Sequence, residues 1–391
     1  MIGLLAVGND PTIALRPDAV MGDTHQRQIR YASILREYHL ITKAPPLSVP
    51  PRIQVTGNFW VYPCGRRSMA SYLIDATQTG WKIVRENAVE AVSAQDPFLT
   101  GVIGYAIAQR AGLPLSLHFV ADALDNPAWL GEKLVYRALN RLAHWLVPRA
   151  STYRVVSASE RAKLVGLGVP IERIWNLPSI TDFSRFLAAN GSSLRHRWLG
   201  SRHDQVILCV ARLVPQKDLH TLLRAMVRIR AQHPAALLVI AGSGPMEGTL
   251  RRLITELALE EQVLMLGGIP YDELAGHYAA ADVVVLSSVY EGNARVLAEA
   301  AASARPVVST DVSGARDTIV DGQTGFVVPI GDETAMSERV IDLLKDPDQA
   351  RSMGQQARAH VLALYNPERI LAGFQDLWEA TARAPKPMVT P

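Results

Sequence analysis

The chain has 391 residues, 48% hydrophobic and 20% charged, with a formal net charge of +3; this is ordinary globular composition, long enough for about two domains with a core each, and it excludes a fibrous or disordered protein. Two cysteines, Cys64 and Cys209, exclude a disulfide framework, and no Cys/His cluster has zinc spacing, so a reducing compartment is expected. Residues 1–180 carry 19 Lys and Arg against 13 Asp and Glu, the remainder 21 against 24; the basic front half points to phosphate or acidic lipid, and no motif or basic–aromatic stripe points to nucleic acid.

In chain order, MIGLLAVGND opens with an apolar strand too short to span a membrane and without a basic leader. No later stretch has about 18 apolar residues in a row, so a soluble or peripheral, cytoplasmic protein is expected. Further strands fit HLITK (39–43), AVSAQD (91–96), LSLHFV (115–120) and YRVVSAS (153–159), and helices fit 24–37, 101–111 and 131–146. The Pro- and Gly-rich stretch 43–68 carries no assignment. Asp96 either faces an acceptor or caps the helix that follows it. The segment 134–150, LVYRALNRLAHWLVPRA, mixes Arg137, Arg141, His144 and Arg149 with Leu, Val and Trp145. It reads either as an interfacial helix drawn to anionic lipid at the inner face of the membrane or as a helix packed on its own sheet.

A polar stretch at 182–204, including ANGSS, separates two strand–helix series. The expected domains are 1–190 and 191–365, with a helix at about 366–384 packing back on the first. That helix should turn Ile370, Leu371, Phe374 and Leu377 to one side. In the second half, strands fit 206–212, 236–242, 263–267, 282–287 and 306–310, and helices fit 295–304, Tyr271–Ala279 and a run capped by Asp218. Near-continuous apolar strands alternating with helices predict a parallel sheet covered on both faces. Asp346-Pro347-Asp348 falls between helices and reads as a helix start rather than a metal motif.

Ligands of an open parallel sheet bind beyond the carboxyl ends of its strands. The loops there hold Arg212 and Lys217, the Gly242-Ser243-Gly244-Pro245 turn, GGIP with Ile269, and SVYEGNAR with Glu291. Cations, bare backbone and a helix N-terminus together suit a diphosphate. Glu291 and Glu299 stand eight positions apart, so one carboxylate can face a sugar while the other reaches along the ligand; the spacing alone equally fits a helix-start carboxylate and a solvated helix residue.

Residues 287–310 resemble the signature of family 4 of the retaining glycosyltransferases, which have the GT-B fold. The match consists of two glutamates with seven residues between them, a helix of small residues, then Pro-Val-Val. Arg212 with Lys217, the Gly242–Gly244 loop, Gly314 and DGQTGFVVPIGD (321–332) extend it, strongly over about 205–365. The resemblance implies α/β architecture with two Rossmann-like parallel-sheet domains facing across a cleft. It implies that Glu291 binds donor-sugar hydroxyls, that Glu299 binds the ribose, and that Arg212 and Lys217 hold the diphosphate. The backbone at Gly292, Asn293 and Ala294 would contact sugar or phosphate, and Ile269 would face the base. Before 205 it rests on His118, which would face the donor sugar, and on Gly22, in the loop expected to close over the phosphates. The family's Glu-Gly-Phe-Gly is Glu-Gly-Asn-Ala here, and its usual Gly pair is Gly22-Asp23. The implied reaction takes a UDP- or GDP-sugar to a saccharide or lipid-linked acceptor, as in surface polysaccharide or glycolipid assembly, with neither metal nor cofactor. A sugar-nucleotide 2-epimerase of the same fold, a glycoside hydrolase and a non-catalytic binding protein are the alternatives.

Overall fold

A computed structural model describes residues 1–15, 24–45, 48–65, 68–292 and 294–385. Its contacts divide the chain into two compact units, one formed by Met1–Thr181 with the segment from Pro367 onward, the other by Asp182–Asn366.

The first unit has eight strands: β1 (Gly3–Val7), β2 (Glu37–Lys43), β3 (Ile53–Thr56), β4 (Phe59–Cys64), β5 (Ala91–Ala94), β6 (Leu115–Phe119), β7 (Thr152–Val155) and β8 (Ile174–Asn176). They lie in the order β3-β4-β2-β1-β5-β6-β7-β8. Neighbours are parallel except β3 and β4, which are antiparallel. Every residue of β1, β5, β6 and β7 is buried, as strands covered on both faces must be. The helices are α1 (Thr24–Ala32), α2 (Met69–Glu86), α3 (Leu99–Ala111), α4 (Pro127–Glu132), α5 (Leu134–Leu146) and α6 (Ala158–Gly166).

Several expectations need correction here. The helix expected over 24–37 stops at Ala32, and Glu37 already opens β2. The unassigned stretch holds β3 and β4. The strand expected to reach 159 ends at Val155, because the Ser157 hydroxyl accepts from Glu160 N at 3.2 Å and starts α6.

The second unit carries β9 (Gln205–Val210), β10 (Ala236–Ala241), β11 (Val263–Gly267), β12 (Val283–Leu286), β13 (Val307–Thr310) and β14 (Gly325–Val328). All are parallel, in the order β11-β10-β9-β12-β13-β14. Its helices are α7 (Ser184–Leu187), α8 (Ser192–Leu199), α9 (Leu219–Gln232), α10 (Glu247–Glu256), α11 (Leu274–Ala280), α12 (Arg295–Ala302), α13 (Ala315–Thr318), α14 (Glu333–Lys345) and α15 (Pro347–Leu364). Asp218 caps α9, accepting from Thr221 Oγ1 at 2.7 Å. Asp346 ends α14 and caps α15, accepting from Gln349 N at 2.9 Å. The helix expected over 271–279 is a 3-10 turn, Tyr271–Glu273, followed by α11.

The last helix, α16 (Pro367–Arg383), returns to the first unit. It buries Ile370, Phe374, Leu377, Trp378 and Thr381; Leu371, expected on that face, is only half-buried. The Phe374 ring centre lies 4.5 Å from that of Tyr31, and the hydroxyls of Thr381 and Thr152 bond at 2.6 Å. No described helix is long and apolar enough to cross a membrane.

Candidate active site

In the second unit β9, first in sequence, pairs with β10 on one side and β12 on the other. Successive connections therefore leave β9 in opposite directions, so the loops after β9 and β12 flank the switch point at whose carboxyl end ligands of such sheets bind. The first loop carries Arg212 and Lys217, the second Ser287 to Gly292.

Main-chain and side-chain bonds zip these loops together. Val289 N donates to Gln216 O at 2.8 Å, Gln216 Nε2 to Tyr290 O at 2.9 Å, and Ser287 Oγ to Lys217 O at 2.8 Å. The same register brings Lys217 Nζ onto Glu291 Oε1 in an ion pair, and Ser288 Oγ donates to that oxygen at 2.6 Å. Both charged side chains are nearly enclosed, so their attraction is screened far less than that of a surface pair. Arg212 is exposed, and its Nη2 donates to Gln216 Oε1 at 3.3 Å rather than joining the pair.

Glu299 lies in the second turn of α12 and is 4% exposed, which removes the solvated reading. Its Oε2 accepts from Tyr278 OH at 2.9 Å, and its Oε1 stands 3.8 Å from Arg295 Nη2. Burial first, and then the Glu299 carboxylate, hold the Tyr278 phenol well above its ordinary pKa. Sequence reasoning passed over Gln216, Ser288, Tyr278 and Arg295. Gln216 meets Tyr290 and Tyr278 meets Glu299 at long range in the chain, whereas Ser288–Glu291 and Arg295–Glu299 are local pairs, and the four-residue helical spacing of the latter is an available signal.

The two glycines after β10 have a packing reason. A Cβ on Gly242 would overlap Ala211 O, and one on Gly244 would overlap Leu213 O. The β9 and β10 loops meet that closely because Leu213 N donates to Ser243 O at 2.9 Å and Met246 N to Leu213 O at 3.0 Å. Ile269 is half-buried in the loop after β11, Gly292 is half-buried, and Ala294 is buried at the start of α12. Gly22 and Asn293 lie outside the described residues.

His118 belongs to the first unit, within β6. Its Nε2 is 3.1 Å from Ser93 Oγ. Burial, and then the Arg154 guanidinium, push its pKa well below the usual value, so the imidazole is neutral at pH 7 and exchanges single hydrogen bonds. It borders a cavity of about 130 Å³ at the ends of β1, β5 and β6. Asp96 takes the capping role: Oδ1 accepts from Phe98 N at 2.8 Å and Thr100 N at 3.3 Å at the start of α3.

Comparison with known proteins identifies the family. The family model for glycosyl transferases group 1 matches residues 195–360, and that for a glycosyl transferase 4-like domain matches residues 35–178. A GDP-mannose-dependent alpha-(1-6)-phosphatidylinositol monomannoside mannosyltransferase from Mycolicibacterium smegmatis is 36% identical over 288 residues, 71% of this chain and 73% of that protein. A D-inositol 3-phosphate glycosyltransferase from Kineococcus radiotolerans is 31% identical over 319 residues, 73% of this chain and 68% of that protein. The solved sucrose-phosphate synthase from Thermosynechococcus elongatus matches with TM-score 0.79 at 20% identity, covering 97% of this chain and 98% of that one. With two parallel-sheet α/β units and these relatives, the chain belongs to the group 1 glycosyltransferases of family 4 type, with the GT-B fold.

Proposed function

We propose that this glycosyltransferase works with retention and without a metal, moving a hexosyl group from a nucleoside diphosphate-sugar to a saccharide or lipid-linked acceptor. The observation that carries the reading is the Lys217–Glu291 pair between the loops after β9 and β12. In this reading the pair supplies one cation to the diphosphate and one carboxylate to a sugar hydroxyl. In the reaction, the anomeric carbon–oxygen bond breaks and its electron pair leaves on the diphosphate. The acceptor hydroxyl oxygen bonds to the same face of the sugar, and its proton passes to the departing phosphate. Lys217 and Arg212 stabilise the charge that develops there, which is the work a metal would otherwise do. Glu291 orients the sugar, Glu299 takes the ribose hydroxyls, and Ile269 borders the base. The backbone at Gly242, Gly244, Gly292, Asn293 and Ala294 lines the diphosphate and sugar, and neutral His118 bonds a sugar hydroxyl. Gly22 belongs to the phosphate-closing loop in this reading.

GDP-mannose is the first donor to test, because the relative from Mycolicibacterium smegmatis is named for it; UDP-sugars come next. Product formed from an α-linked donor, followed by proton NMR at the anomeric position, is expected to be α-linked. A β-linked product contradicts retention, and donor conversion without acceptor favours an epimerase.

A lipid-linked acceptor also gives meaning to α5. Its C-terminal half buries Ala143 and Leu146, but its N-terminal half presents Leu134, 82% exposed, beside exposed Val135, Arg137 and Arg141, with Trp145 further along. Apolar side chains among cations suit the surface of an anionic membrane, at its cytoplasmic face. In flotation with vesicles, binding is expected with anionic lipid and not with neutral lipid. The double change Leu134→Asp, Trp145→Asp should reduce the floated fraction at least fivefold. Equal flotation of the variant removes α5 from the account.

A further inference from the structure

Arg154 sits in the middle of β7 with 4% of its surface exposed. Its Nε donates to Leu177 O at 2.9 Å, its Nη2 to Ser179 Oγ at 3.1 Å, and its Cζ lies 4.9 Å from the centre of the Phe374 ring. These partners are neutral. They occupy some of the guanidinium's N–H groups and leave its charge in place. Among the described residues no carboxylate forms an ion pair with it. Of the groups that act on it electrostatically, Tyr31 is a phenol, Arg27 is a second cation, and Glu160 is pushed by burial up to about 8 and is mostly protonated at pH 7. A permanently charged group taken out of water without a counter-ion is strongly unfavourable.

The guanidinium borders the cavity of about 130 Å³ already described, with His118, Ser93, Thr42 and Gln95 around the same space. A space of that size has room for a phosphate-sized group. Asp10 also borders it, but its carboxylate is engaged by Thr12, through N at 2.9 Å and Oγ1 at 2.6 Å, and by Thr24 Oγ1 at 3.3 Å. The wall therefore carries two guanidiniums, those of Arg154 and Arg27, against the Asp10 carboxylate, among neutral hydrogen-bonding groups.

We propose that this cavity is an anion site, taking a phosphoryl or carboxylate group against Arg154. The site rests on the cavity alone; only its assignment to an anionic group of the sugar acceptor rests on the transfer reaction proposed above.

The test follows the His118 ring signals of the full chain by NMR while sodium phosphate is added at constant ionic strength, with chloride as control. His118 is expected to shift saturably with phosphate and not with chloride. Arg154→Met should raise the phosphate Kd at least tenfold, while Lys217→Ala, in the other unit, leaves it unchanged. Should Arg154→Met fail to fold, Arg154→Lys keeps the charge, loses the forked donor and is expected to weaken binding at least threefold. No saturable shift in the unmodified chain, or an unchanged Kd in the Arg154 variants that fold, overturns the proposal. In the transfer assay, phosphate competing with acceptor assigns the site to the acceptor's own anionic group. Inhibition or activation without competition assigns it to a free anion, and either outcome requires the site. Phosphate binding at His118 in a chain that binds no nucleotide would sink the donor reading and leave this one standing.

Discussion

Glu291→Gln and Lys217→Ala should each lower kcat for transfer by about a hundredfold or more, the usual scale for losing one preorganised charge aimed at a transition state. The two should differ in stability. Glu291→Gln keeps an oxygen for Ser288 Oγ, now 2.6 Å from the carboxylate, but leaves Lys217 nearly enclosed with no anion. Lys217→Ala leaves the carboxylate with its hydroxyl donor and without its cation. Removing one member of a shielded pair commonly costs more than removing both. The double variant Lys217→Met, Glu291→Gln should therefore melt above either single variant and still be the least active of the three. Steady-state kinetics and thermal melts on the three proteins check this. Near-normal transfer in either single variant removes both residues from the chemistry.

Gly242→Ala is expected to be the most damaging single methyl in the second unit. Gly242 has φ +153°, in the region that favours glycine, and the new Cβ would overlap the Ala211 carbonyl oxygen. That carbonyl cannot retreat easily, because Ala211 N is held by Ala241 O at 3.0 Å and Gly242 N by Gly267 O at 2.7 Å. Overpacking against fixed backbone costs about 3 kcal/mol or somewhat more, and at about 2–4 °C per kcal/mol for a unit of this size the melt falls by roughly 10 °C. Gly248, in the first turn of α10 with open space around its Cβ position, is the control; Gly248→Ala should leave the melt unchanged or raise it slightly. A Gly242→Ala protein that melts with the unmodified chain would mean that the glycine is kept for ligand approach alone.

These two positions also show what the sequence makes legible. In the second unit β9, β10 and β12 stand out because each is an apolar run with a buried centre, while β14, half-buried at the sheet edge, is not among the expected strands; Asp218 and Asp346 announce the helices they cap. In the first unit α2 escapes notice for a physical reason. Its buried positions are Tyr72, Ala76, Gly80 and Ile83, so half of its core stripe is Ala and Gly. Gly80 is small because the Ile107 side chain of α3 occupies the space a Cβ would need. That exchange of bulk between helices puts Ala and Gly where large apolar residues would mark the buried stripe. β4 is obscured in the same way by Pro63, which pairs with Thr42 near the strand's end.

At the site, the loops and their charged residues are readable, because the rim of a parallel sheet is a predictable place. The partnerships are not. Lys217 meets Glu291 across 74 residues and Tyr278 meets Glu299 across 21, distances set by which strand lies beside β9. The glycines after β10 illustrate the remaining ambiguity. A Gly-rich turn reads as room for a ligand, and it is also where two loop backbones touch.

The central claim is that the loops after β9 and β12 hold a nucleoside diphosphate. Calorimetric titration of the full chain with GDP, UDP and ADP tests it most directly. One of these should bind saturably at a single site, with Kd raised at least tenfold by Lys217→Ala and again by Glu299→Ala. No binding of any of the three, or the same affinity in both variants as in the unmodified chain, would contradict it.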